Sequence, residues 1–219
     1  WPVLGDGEGK APKRFTIQGI KERGETGIVR SDDFSAPELD LAWQWNHNPD
    51  NSLWSLTERP GYMRLKTGKL ADHLFNARNT LTQRTMGPYC QGTVHMDISH
   101  MLPGDHAGLF SFCSQPGGLS VVKNVDDYTM QMSDRDILKA EEHFNGGEVW
   151  FRMNCDFTTD TATFSYSIDG SVFKPFGTPF HMIFSMAHFT GNKFAIFNYA
   201  TLNAGGYVDV DSFEFAGVE

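Results

Sequence analysis

The chain has 219 residues, with 18 Lys and Arg against 27 Asp and Glu, a net charge of −9, 40% hydrophobic and 21% charged residues. That balance excludes wholesale disorder, and an acidic chain without a basic stripe argues against nucleic acid and anionic membrane as partners; no apolar run nears the roughly 20 residues of a membrane helix. The length suits one β-sandwich or barrel domain, or two very small ones, and 22 Gly with 18 Phe point to short strands, tight turns and aromatic packing.

Residues 1–30 read as a linker, or as an arm lying on a neighbouring surface: Gly5, Gly7 and Gly9 alternate with Pro2, Pro12, Lys10, Lys13 and Arg14 and show little periodicity. The compact unit is 31–219. Strands are expected at 41–46, 53–57, 61–66, 79–84, 90–98, 107–113, 119–123 and 127–133. Residues 134–143 are the one candidate helix, short and weakly amphipathic. Val149, Phe151, Met153 and Cys155 then alternate with Trp150, Arg152, Asn154 and Asp156. Ala162, Phe164, Tyr166 and Ile168 take one face of 161–168, which ends at the turn signal Asp169-Gly170. Further strands are expected at 181–189, 193–199 and 206–215. Clusters such as Arg59-Pro60-Gly61, Pro103-Gly104-Asp105 and Asn145-Gly146-Gly147 punctuate the series. A dozen or so strands without crossover helices predict two antiparallel sheets in a jelly-roll β-sandwich.

The chemistry of cleavage is missing from this pattern. The Glu-x-Asp-x-x-Glu motif of sandwich glycanases, the Gly-x-Ser-x-Gly and His-Glu-x-x-His motifs and a phosphate loop are all absent. Asp209 and Asp211 are the sole i, i+2 acidic pair in a convincing strand. They read as a loop-edge or cation-binding pair rather than the two carboxylates of a glycosidase. With Asp33 at the start of the compact unit they are the candidate ligands of a structural Ca²⁺ tying first strand to last; the alternative is solvated strand-end acids. The eight His are scattered and read as ordinary surface or core residues. Cys90, Cys113 and Cys155 are an odd set that matches no zinc spacing and reads as buried free thiols.

Binding is the more informative reading. Sugar rings stack their C–H faces on Trp or Tyr and offer hydroxyls to planar amides and guanidinium groups. Trp45, Asn79, Gln83, Arg84, Asn198 and Tyr199 supply that chemistry at strand positions. The competing reading places the Trp in the core and the polar groups on solvent or as core crosslinks.

Three stretches make the chain identifiable: Asp32-Asp33-Phe34-Ser35-Ala36-Pro37-Glu38-Leu39-Asp40-Leu41, Trp43-Gln44-Trp45-Asn46-His47-Asn48-Pro49 and Ala77-Arg78-Asn79-Thr80-Leu81-Thr82-Gln83-Arg84. With Tyr166-Ser167-Ile168-Asp169-Gly170, Phe197-Asn198-Tyr199-Ala200 and Gly206-Tyr207-Val208-Asp209-Val210-Asp211-Ser212-Phe213, residues 31–215 resemble the C-terminal β-sandwich of glycoside hydrolase family 43 β-xylosidases and arabinofuranosidases, classed as carbohydrate-binding module family 91. Trp1-Pro2-Val3-Leu4-Gly5 resembles the tail of the preceding propeller. The resemblance implies a concanavalin A-like sandwich, xylan or xylo-oligosaccharide as ligand, in some members a structural calcium, and a family 43 propeller as partner in the same polypeptide. The propeller's catalytic carboxylates would lie upstream, so this chain is expected to be non-catalytic. In some relatives a loop of this domain closes the propeller's pocket. No targeting signal is visible, and an extracellular or periplasmic setting is the expectation.

Overall fold

The computed structural model describes residues 27–217, with Gly5, Lys10 and Gly19 ahead of them; nearly all of the expected linker 1–30 lies outside the described residues. In chain order the strands are β1 (Gln44–Trp45), β2 (Trp54–Ser55), β3 (Met63–Lys66), β4 (Leu81–Arg84), β5 (Tyr89–Asp97), β6 (Asp105–Phe112), β7 (Gly117–Lys123) and β8 (Tyr128–Asp134). They continue with β9 (Ile137–Phe144), β10 (Glu148–Asp156), β11 (Thr161–Ser167), β12 (Lys174–Pro175), β13 (Phe180–His181), β14 (Lys193–Ala200) and β15 (Tyr207–Gly217). Among the described residues the only helical turns are of 3-10 type, Leu74–Asn76 and Met186–His188.

Two sheets result. One has seven strands in the order β1-β4-β14-β6-β7-β8-β9; the other has eight, β12-β11-β10-β5-β15-β3-β2, with β13 beside β11. Ladders between these strands are antiparallel, as a jelly-roll sandwich requires. Alternation decides the inner faces. In β10, Val149, Phe151, Met153 and Cys155 are buried while Trp150, Arg152, Asn154 and Asp156 face out. Phe34, Phe151, Phe180, Phe194 and Phe213 are fully buried between the sheets, where each aromatic contributes about 1.5–3 kcal/mol of burial.

The ends of the compact unit are tied by backbone. The Asp32 N–H donates to the Phe213 carbonyl and the Phe213 N–H to that of Asp32, both at 2.8 Å. Trp43 locks this strap: its Nε1 donates to Asp32 Oδ2 at 2.8 Å, and its ring packs edge-on against Phe213 at 5.2 Å.

Two expected elements are corrected. Residues 134–143 are not a helix but a hairpin turn and the edge strand β9. Arg135 and Asp136 adopt positive φ (54° and 64°), the two-residue geometry that matches strand twist. Leu138, Lys139, Ala140, Glu141 and Glu142 are good helix formers, yet on a sheet edge charged residues shield the free backbone. Residues 181–189 are not a continuous strand. Only Phe180 and His181 pair, with Ala162 and Thr161. The chain then leaves the sheet, held by Asn192 Nδ2 donating to the Ile183 carbonyl at 3.1 Å.

Candidate functional site

Register places Tyr199 opposite His106, Phe197 opposite Gly108, Ala195 opposite Phe110 and Lys193 opposite Phe112 on the outer face of the seven-stranded sheet. The rings form a continuous run. His106 stacks on Tyr199 at 4.9 Å and 7°, Tyr199 on Phe197 at 5.8 Å, and Phe197 meets Phe110 edge-on at 5.0 Å. Phe75 and His188 close the far end over Phe112, at 5.2 and 5.6 Å. The stacked His106 and Tyr199 rings are uncharged at neutral pH, and Lys193 sits at the Phe112 end. Burial pushes the Tyr199 phenol up to about 12, helped by Asp136 and Asp72, and pushes the His106 imidazole down to about 4.

A cavity of about 360 Å³ opens beside Tyr199 under the 67–79 loop, and its walls include His47, Lys69, Arg78, Asn79 and Asn198. It gathers three of the six sugar-site candidates, Asn79, Asn198 and Tyr199. Two of them have structural duties. Asn79 Oδ1 accepts from the Asp50 N–H at 2.9 Å while its Nδ2 donates to the Asp50 carbonyl at 3.0 Å. Asn198 Nδ2 donates to the Leu65 carbonyl across the core at 3.0 Å, leaving its buried Oδ1 without a partner.

The other three candidates lie elsewhere. Gln83 is buried between the sheets, where its Oε1 accepts from the Arg30 N–H at 2.7 Å. Arg84 is exposed, next to Lys193 in register. Trp45 is half-buried, tilted on Trp54 at 5.2 Å and packed on the core.

The residues proposed for calcium do not fit it. Asp209 Oδ1 accepts from Arg64 Nε at 2.7 Å, and its Oδ2 accepts from Arg64 Nη2 at 2.9 Å and Arg59 Nη1 at 3.0 Å. Asp211 Oδ2 lies 3.1 Å from His95 Nδ1. Asp33 is exposed and caps Ser35 through N–H and hydroxyl bonds of 3.1 and 2.6 Å. A cation would have to displace two guanidinium groups from Asp209, and among the described residues no three His, Cys, Asp or Glu are grouped to hold a metal. The backbone strap at Asp32 and Phe213 does the tying instead. Chelation is therefore expected to leave the melting temperature unchanged, and a calcium-dependent rise of more than about 3 °C, on the order of 1 kcal/mol, would restore the clamp.

Sequence reasoning missed a further feature. In the segment 182–190, Phe184, Met186 and Phe189 are 67%, 79% and 73% exposed. The base of this loop is pinned by the Asn192–Ile183 bond, by Ser111 Oγ donating to Asn192 Oδ1 at 3.0 Å, and by His188 against Phe112. Phe180, Met182, Phe184 and Met186 recur at every second position, the alternation of a strand, so the pattern itself carried no sign that the chain leaves the sheet after His181. The ring run His106, Phe110, Phe112 and Phe197 was also missed, because strand faces cannot be assigned inward or outward without the pairing.

Residues 31–216 match the family model of the "Beta xylosidase C-terminal Concanavalin A-like domain". A β-xylosidase of Formosa agariphila is 30% identical over 98% of this chain and 40% of its own length. A solved bifunctional GH43-CE protein of Bacteroides eggerthii superposes with a TM-score of 0.88 at 42% identity, over 100% of this chain and 30% of that one. A second structure, a GH43 glycoside hydrolase engineered for endo-xylanase and exo-arabinofuranosidase activity, gives 0.86 at 30% identity, over 92% of this chain and 43% of that one. The chain thus spans less than half the length of these relatives.

Proposed function

The chain belongs to the family of β-xylosidase C-terminal concanavalin A-like domains, and from that membership we propose that it is a non-catalytic companion that docks on a family 43 propeller and helps complete its substrate pocket. One observation carries this reading: three large apolar side chains, Phe184, Met186 and Phe189, stand out from a loop whose base is firmly held. Exposed apolar clusters of this kind mark contact surfaces. The carboxylates that register sets opposite each other, Asp97 and Asp209, have every oxygen engaged by Arg59, Arg64 or Ser99, so neither is poised as a proton donor or nucleophile.

A second reading, xylan binding, is favoured by the stacked, half-buried rings of His106 and Tyr199 beside the Asn79–Asn198 cavity. Both readings are tested in the polypeptide that joins sandwich and propeller. Changing Phe184, Met186 and Phe189 together to Ser is expected to lower kcat/KM on xylo-oligosaccharide about 10-fold or more, and to split one melting transition into two, because anchor residues of an interface each carry about 1–2 kcal/mol. Unchanged kcat/KM with a single transition would refute docking. Retardation of the chain in a xylan-containing gel, lost in Tyr199→Ala, would establish the second reading.

A further inference from the structure

Cys90 of β5 stands directly opposite Cys155 of β10 in the antiparallel register. Both residues are buried free cysteines, and the register turns both side chains to the same inner face of the sheet. Opposed residues in such a pair have Cα atoms about 4.5–5.5 Å apart, inside the roughly 4.4–6.8 Å span of natural disulfides. Cys113 is placed elsewhere, its thiol turned to the carbonyls of Gln115 and Ile183 at 3.7 Å.

The two thiols are not equivalent. The Met86 N–H donates to Cys90 Sγ at 3.3 Å, a bond that grows stronger as charge develops on that sulfur. The neighbouring Cys155 thiol and this amide hold the Cys90 thiol below its ordinary range against the effect of burial. The same contact, together with burial, raises Cys155. Both cysteines sit one residue from the same end of their strands, Cys90 against the 85–88 turn, so local opening at that end of the sheet uncovers the pair.

We propose that Cys90 and Cys155 form a cross-strand disulfide when the chain meets a disulfide-bearing oxidant, Cys90 being the attacking and Cys155 the resolving thiol. The Cys90 thiolate attacks one sulfur of the oxidant, whose S–S bond breaks and releases a thiolate. Cys155 then gives up its proton and attacks the Cys90 sulfur of the mixed disulfide, expelling the second thiolate. The protein loses two protons and two electrons, and the oxidant leaves as two thiols. The new bond closes the chain around β6–β9, the outer half of the seven-stranded sheet, which restricts the unfolded ensemble.

The folded protein, reduced and then incubated with oxidised glutathione, tests this. Titration in denaturant is expected to find three thiols before oxidation and one after it, with a mass loss of about 2 Da from the two-hydrogen balance. A peptide should link Cys90 to Cys155, and the melting temperature should rise by about 5–10 °C. Cys113→Ser should still lose two thiols; Cys90→Ser and Cys155→Ser should each keep both that remain and gain no stability. Three thiols persisting after oxidation, a lasting glutathione adduct on Cys90, or a link to Cys113 would overturn the proposal.

Discussion

Asp209→Ala is expected to destabilise the sandwich by about 2–4 kcal/mol, read as a lower urea midpoint at unchanged slope. The side chain is 1% exposed, and both its oxygens are held by guanidinium groups. Arg59 spans Asp209 and Asp97, the latter at 2.6 Å. Burial alone would push the Asp97 carboxyl up, yet Ser99 and Arg59 hold it below the ordinary carboxylate range. Tyrosine rings back both cations, Tyr62 under Arg59 at 3.6 Å and Tyr207 under Arg64 at 4.1 Å. Removing the buried anion leaves Arg64, itself largely covered, next to uncompensated desolvation, and this sets most of the loss. Arg59 reaches solvent more freely than Arg64, so the order of losses should be Asp209→Ala, then Arg64→Ala, then Arg59→Ala. A loss below about 1 kcal/mol for Asp209→Ala would show that the network behaves like an exposed surface pair.

That network also shows what the sequence revealed and what it withheld. Spacing was enough to put Asp209 and Asp211 on one strand face. Their partners were not legible, because Arg59 and Arg64 precede Asp209 by most of the chain and meet it only through the β3–β15 ladder. The same limit explains the sugar candidates. Asn79, Gln83 and Asn198 are polar residues in strand-like surroundings, and only pairing reveals that each is turned to a backbone group, Gln83 and Asn198 inside the sandwich and Asn79 in the cavity wall. Strands buried on one face, such as β10 and β11, were readable because burial imposes a period of two. The edge strand β9 is exposed over most of its length, so no burial imposed a period, and its helix-forming composition misled. Beyond Met182, which packs in the core, loop 182–190 continues with Phe184, Met186 and Phe189, exposed residues that the domain's own core does not use, so hydrophobicity there could not report on the fold.

Adjacent residues at the start of β6 should give the folding stability two opposing pH slopes. Asp105 is 0% exposed, and only its Oδ2 has a partner, the Leu102 N–H at 2.8 Å, while Oδ1 has none. The Gly206 backbone lies so close that a β-carbon there would be 1.8 Å from Oδ2. Burial pushes this carboxyl up to about 6 from an ordinary 3.8. Between those values the folded chain binds more protons than the unfolded one, so the Asp105 contribution is present below about pH 4 and is lost as pH rises through about 6. His106, on the opposite face, is pushed down to about 4 from 6.5 by burial against Tyr199. There the unfolded chain binds more protons, so stability grows with pH across the same window. Each gap of about two units amounts to about 2–3 kcal/mol once partial solvent contact at His106 is allowed for. Urea midpoints from pH 4 to 7 should therefore diverge in two variants. Relative to the parent chain, Asp105→Asn should become progressively more stable as pH rises, because the falling contribution is gone. His106→Phe, which keeps the ring stack, should become progressively less stable over the same range. Carboxylates held below their ordinary range, Asp97 among them, titrate alike in all three proteins and cancel in the differences. Profiles that run parallel in all three would mean that both groups reach water in the folded chain, and that the start of β6 is open where the packing shows it closed.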